Sequence, residues 1–380
     1  MDKFNNGGLK MNFTINQKEF HNGIQIVQRA VSSKSTLPIL KGIYLETKKN
    51  KGIKLIANDL EIGIEHWVNA NILEEGSIVL PATELSNIIR ELPSGNISFI
   101  VDLEHYQVDI KCLNSNFTLK GYQADEFPQL PEVENALKVS LPSNDFNNMI
   151  EEVKFSTSKD KTQPALTGGL LILTNQNINL VTTNTYRLAY SKIDHKNTLD
   201  KDIKVILPGT TLNELNHLII NETENIELLL NENYIRFSFN DIIFISRLIE
   251  GQFPNFRQVL PAEYNSKIKI DRIKLLNAVK RASLIARLDS NVISIKITED
   301  KMSINSASTE YGNAHEVIEI KLEGPEQNID IDASYLIDVL KILKEDVVIL
   351  EMIGPLNPLT IKKESNNNYI YLIMPVRPGA

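Results

Sequence analysis

The chain contains itself three times, and that repeat limits its possible folds more than any other feature. Residues 78–92 (IVLPATELSNIIREL), 205–219 (VILPGTTLNELNHLI) and 329–343 (IDIDASYLIDVLKIL) can be laid over one another. Each opens with a short β-branched strand and turns at a residue suited to capping a helix: Thr83, Thr210 or Thr211, and Ser334. Apolar residues at helical spacing follow, such as Leu85, Ile88, Ile89 and Leu92. A second marker places Phe127-Pro128, Phe253-Pro254 and Met374-Pro375 at the same interval. A third is a strand-turn-strand unit at KLIANDLEIGI (54–64), NLVTTNTYRLAY (179–190) and MSINSASTEYGNA (302–314). The markers keep one order and a spacing of about 125 residues, the size of a whole domain rather than of a solenoid unit.

Each copy begins with an amphipathic helix, over 17–30, 143–155 and 271–286. Between helices lie alternating runs such as FTLKGY, YIRFSF and IFISRLI, which predict antiparallel strands. Two helices per copy with a strand-rich remainder predict α+β domains, each with two helices packed on antiparallel sheet. The expected organisation is an N-terminal extension at 1–10, then domains at 11–130, 138–262 and 263–380. Short linkers with Pro131 and Pro261 separate the domains. Met11 opens the first copy cleanly, so the ten residues before it are expected to be an alternative start or a remnant of expression.

Chemistry is hard to find. The chain has no GxxxxGK[ST] phosphate loop, no GxGxxG after a strand and no GxSxG elbow. The six histidines form neither HExxH nor a close pair, and the lone Cys112 permits no multi-cysteine metal site within one chain. No catalytic residue, metal site or cofactor is therefore expected, and three similar domains favour a scaffold over an enzyme. A net charge of −8 argues against nucleic acid if spread evenly, though opposite faces of one protein can differ in sign. No apolar run approaches the roughly 20 residues of a membrane helix, so no membrane contact is expected, and the single cysteine fits a reduced cytoplasmic compartment.

At five places the sequence resembles the bacterial sliding clamps, the beta subunits of replicative DNA polymerase III. They are STLPIL with NDLEIGIE (35–40 and 58–65), TYRLAY (185–190), EGQFPNFRQVLP (250–261), SYLIDVL (334–340) and YLIMPVRP (371–378). Their order matches the family's, and together they span nearly the whole chain.

The resemblance implies three processivity-fold (DNA clamp) domains per chain and a ring made by a homodimer, closed head to tail. It implies a processivity factor that encircles double-stranded DNA without reading sequence. The implied partners are the polymerase catalytic subunit, the clamp loader and other proteins carrying a clamp-binding motif. The family's DNA-facing positions fall here on Lys34, Lys154, Lys159, Lys161, Arg272, Lys274, Lys280 and Arg281. Its dimer contact falls on Phe117 and Leu119 on one side, and on Leu284 and Ile285 on the other. Its peptide pocket falls on Leu166, Thr183, Thr185, Tyr186, Arg187, Leu188, Pro254 and Val259 of the middle domain. The third domain adds Asp332, Tyr335, Leu372, Met374, Pro375, Val376 and Arg377. Thr185 stands where many members have Gly, and Asp332 where others have Asn. Cutting the chain before Tyr371 is expected to abolish peptide binding while leaving the ring intact.

Overall fold

The computed structural model describes residues 10–32, 35–134, 136–219 and 225–376. Lys34 and Arg377 lie outside them. Six α-helices occur among these residues, two per repeat: α1 (Gln17–Val27) and α2 (Ala82–Glu91), α3 (Ser143–Val153) and α4 (Gly209–Leu218), α5 (Arg272–Ala286) and α6 (Ala333–Ile342). Helix α1 is capped by Asn16, whose side chain accepts from the Lys18 and Glu19 amides. Helix α5 is capped in the same way by Asp271. The expected caps at Thr83, Thr210 or Thr211 and Ser334 sit inside their helices. Pro81 and Pro208, with φ near −55°, pass directly from strand into helix, and Asp332 caps α6.

The chain packs as two compact units, Met1–Ser143 with Asn221–Leu248, and Asn144–Ile220 with Ile249–Ala380. Their limits cut through the middle repeat because each long sheet is shared by two repeats. In the first unit an eight-stranded antiparallel sheet runs Leu137–Leu141, Ile226–Leu230, Tyr234–Phe239, Ile242–Arg247, Ile62–Val68, Gly52–Asn58, Gly42–Lys48, Ser77–Pro81. Half of it comes from the second repeat and half from the first, joined where Ile245 pairs with Gly63. The unit's other sheet has five strands, ending in Ser115–Lys120 as an edge. Phe13 and Phe99 stack across this sheet at 4.6 Å, and Phe20 of α1 meets both edge-on.

The second unit repeats the plan. Its nine-stranded sheet joins the second repeat to the third where Arg187–Asp194 pairs with Tyr369–Ile373, setting Leu188 opposite Leu372. Strands Gly168–Leu173 and Asn177–Thr183 are buried almost throughout; the first reads as a continuous apolar run, while the second buries Asn179, Thr182 and Thr183 among its apolar residues. Polar ties reinforce the joint. Glu152 at the end of α3 receives Lys363 and the Ser191 hydroxyl, and its carbonyl accepts from Tyr369 at 3.2 Å. A four-stranded sheet, with Gly312–Glu319 at its edge, packs beneath α5.

Candidate functional site

The turn between strands Asn177–Thr183 and Arg187–Asp194 is held in a conformation its sequence does not favour. Thr185 has φ 76°, a left-handed backbone that a β-branched residue rarely adopts. Side chains on both flanks fix it. The Thr183 hydroxyl accepts from the Thr185 amide at 3.1 Å and donates to the Arg187 carbonyl at 2.6 Å. The Asn184 side chain accepts from the amides of Tyr186 and Arg187 at 3.1 and 3.0 Å. This turn leaves Tyr186 64% exposed and turns Arg187 inward.

Arg187 is the hub of the site. Its guanidinium pairs with Asp338 of α6 at 2.7 Å and donates to the Phe155 carbonyl at 2.5 Å. The guanidinium also lies over the Tyr335 ring at 4.6 Å and the Phe155 ring at 5.4 Å. Burial works against its charge, but Tyr371 and Asp338 outweigh that penalty and hold its pKa above the ordinary value. Burial pushes the Tyr371 hydroxyl strongly upward, so it stays protonated and donates to the Tyr335 carbonyl at 3.0 Å.

Two cavities meet at Arg187 and Thr185. One, of about 150 Å³, is apolar and lined by Thr183, Leu188, Pro254, Phe256, Val259, Leu372 and Met374 among others. The other, of about 490 Å³, is more polar and includes Leu166, Tyr186, Tyr335, Asp338, Lys159 and Gln163. The structure thus gathers eleven of the fifteen pocket positions expected from sequence. Pro375 and Val376 follow the rim without lining either cavity. Their segment is tethered by the Met374 amide to the Tyr186 carbonyl and by the Val376 amide to the Asp330 carbonyl. Asp332, expected at the pocket edge, caps α6. Its carboxylate accepts from the Ser334 amide and hydroxyl and from Asn291, and Ser334 in turn lines the polar cavity. Phe256 and Asp338 escaped sequence reasoning. Phe256 lay inside the matched QFPNF run, and Asp338 is one helical turn beyond Tyr335, so spacing alone could have found it.

The cut before Tyr371 is also corrected. Tyr369–Ile373 is an interior strand, paired on both sides, and Tyr371 is fully buried. Such a cut would break the nine-stranded sheet, so a truncation that tests the groove must fall after Ile373.

The expected cations divide into two groups. Lys274 and Lys280 are exposed on α5, while Arg281 forms a two-point ion pair with Glu316 at 2.8 and 2.6 Å. Lys280 joins Arg287 and Lys341 around a cavity of about 410 Å³ between α5 and α6. Lys161 is exposed, and Lys159 lines the polar cavity. Two others are committed within the fold. Lys154 is half-buried and donates to Asn216 at 2.6 Å, and burial depresses its pKa. Arg272 donates to the Glu345 and Leu340 carbonyls at 2.7 and 2.9 Å, satisfying the C-terminal end of α6.

Two sheet edges carry exposed apolar side chains. Phe117, 40% exposed, and half-buried Leu119 lie on the edge strand Ser115–Lys120. Leu284, 54% exposed, and half-buried Ile285 lie on α5 beside the edge strand Gly312–Glu319, where Val317 is 49% exposed. Among the described residues no helix is long and apolar enough to cross a membrane.

Comparison with known proteins agrees along the whole length. Residues 11–131, 140–255 and 257–377 match the models of the N-terminal, central and C-terminal domains of the DNA polymerase III beta subunit. The beta sliding clamp of Staphylococcus aureus is 32% identical over 377 residues, covering 97% of this chain and 99% of that protein. The DNA polymerase sliding clamp of Bacillus subtilis superposes with a TM-score of 0.91 at 29% identity, covering 97% of this chain and 99% of that one. The beta subunit of the Streptococcus pyogenes DNA polymerase gives 0.90 at 30%, with 96% and 100% covered.

Proposed function

The chain belongs to the DNA polymerase III beta subunit family, the beta sliding clamps, and from that premise we propose how its parts serve a processivity factor. The family is non-catalytic, so the sites to be assigned are surfaces rather than reaction centres.

The two-part groove around Arg187 is the docking site for short peptides from the polymerase catalytic subunit, the clamp loader and other proteins with a clamp-binding motif. Its geometry carries this reading. A small apolar hole suits one or two aliphatic side chains, and the adjoining polar half offers the partners an amide side chain needs. Met374, 37% exposed in the apolar cavity, can repack around different apolar groups.

Two chains close head to tail, the edge Ser115–Lys120 of one against the edge Gly312–Glu319 of the other. Both strands lack an outer neighbour among the described residues, and each has exposed apolar side chains beside it. Lys274, Lys280, Arg287 and Lys341 meet DNA phosphates from α5 and α6. Binding is therefore independent of sequence and sensitive to salt. The protein acts in the cytoplasm on closed or loaded duplex, held by topology rather than affinity.

The test is binding of a pentapeptide containing Gln-Leu, read by fluorescence anisotropy. A chain ending at Ile373, and Val259→Glu in the full chain, should each weaken binding at least tenfold, which is about 1.4 kcal/mol. Both should leave the unfolding transition in place. Unchanged affinity in both variants would remove the peptide from this groove.

A further inference from the structure

We propose that Leu113 is an anchor of the contact between two copies of this chain, and that its strained backbone persists because the contact uses its side chain. The inference rests on the head-to-tail dimer proposed above.

Leu113 and Asn114 form the two-residue turn closing the hairpin of Gln107–Cys112 and Ser115–Lys120, with Cys112 paired to Ser115. Leu113 has φ 50°, a left-handed backbone at a turn position where glycine or asparagine is favoured. Its side chain is 81% exposed, more than any other large apolar residue among those described. Within one chain the leucine therefore has backbone strain and gains almost no burial. The next residue, Asn114, would tolerate the conformation better, yet the order is Leu-Asn.

The surroundings say what covers it. The hairpin's second strand is an unpaired edge bearing Phe117 and Leu119, so Leu113 extends an apolar row. Lys111 and Lys120 stand exposed along the same hairpin. The other open edge, Gly312–Glu319, carries Val317 and the exposed Glu319, while Glu316 is already paired with Arg281, and α5 beside it carries Leu284, 54% exposed. Open strand edge and apolar row match on the two faces, and both faces belong to the head-to-tail contact proposed above, so the occupant is a second copy of this chain. Leu113 seats on that copy's α5 face.

A closed pair of chains contains the contact twice, so each substitution counts twice. Leu113→Ala, which keeps the Cβ but removes the side chain, should raise the dimer dissociation constant by about 100-fold, some tenfold per contact. Mass photometry over a dilution series reads this directly. In a chain made monomeric by Leu284→Lys, Leu113→Gly should raise the unfolding midpoint by releasing the strain. An Ala variant as tightly dimeric as the parent overturns the inference, as does a Gly variant that lowers the monomer's midpoint. A parent chain that is monomeric at micromolar concentration overturns the ring itself, which separates the two failures.

Discussion

At the residue scale, the backbone strain at Thr185 sits beside the groove. Thr185 marks the junction of both cavities, and its turn is held by Thr183 and Asn184 rather than by its own preference. Thr185→Gly should stabilise the fold by about 1 kcal/mol, the relief of a left-handed β-branched residue less glycine's entropy. It should also weaken peptide binding several-fold, because the turn that aims Arg187 loosens. Urea midpoints and peptide anisotropy on one variant would show the opposite signs. His66 gives a second residue-scale prediction. Burial holds its imidazole below the ordinary pKa, opposed only in part by the Asp241 carbonyl at 3.1 Å. A base depressed by folding binds fewer protons folded than unfolded, so its contribution is complete above the unfolded pKa of about 6.5. It is lost as pH falls from there toward the lower folded value. Thermal melts of His66→Gln should fall less between pH 7 and pH 5 than those of the parent, and parallel curves would show that His66 does not carry the slope. Sequence singled out Thr185, because the family often has Gly there, but passed over His66, since burial is not visible in a residue's identity.

At the element scale, the repeat was legible because the same packing is built twice with different residues. Tyr44 pairs with Ile56 and Val79, and Leu170 pairs with Val181 and Ile206, in matching registers. Sequence caught the order of strands and helices through periodicity, and missed the caps because prolines entered α2 and α4 ahead of the threonines. The differences between copies are equally informative. Where Leu188 carries a side chain opposite Leu372, the first copy has Gly63 opposite Ile245, and Leu130 of the linker fills the gap. A Cβ at residue 63 would stand 2.2 Å from the Leu130 Cδ2. Gly63→Ala should therefore destabilise by about 1 kcal/mol, at the low end for overpacking because a side-chain tip can yield. The double variant with Leu130→Ala should be less destabilised than the two singles added together, and simple additivity would show that the two residues do not press on each other.

For the whole molecule, the three-part sequence invites a picture of three independent domains, and the sheets argue against it. Strand Ile242–Arg247 of the middle repeat is paired on its far side by Ile62–Val68, and strand Arg187–Asp194 by Tyr369–Ile373. Excising residues 138–262 would remove both partners and leave two interior strands, IIFISR and RLAYSKID, as open edges. It would also remove the Lys363 that meets Glu152. The isolated middle repeat should be aggregated, or monomeric without the near-ultraviolet circular dichroism of fixed packing, although it carries both its helices and all its strands. Extending the fragment to residue 380 restores the nine-stranded sheet and closes one of the two edges, so solubility should improve without becoming complete. Size exclusion and near-ultraviolet dichroism on the two fragments and the full chain would rank them in that order. A middle repeat that is a soluble monomer with a cooperative melt would mean that each repeat holds its own half-sheets closed, and that the shared sheets join finished domains rather than build them.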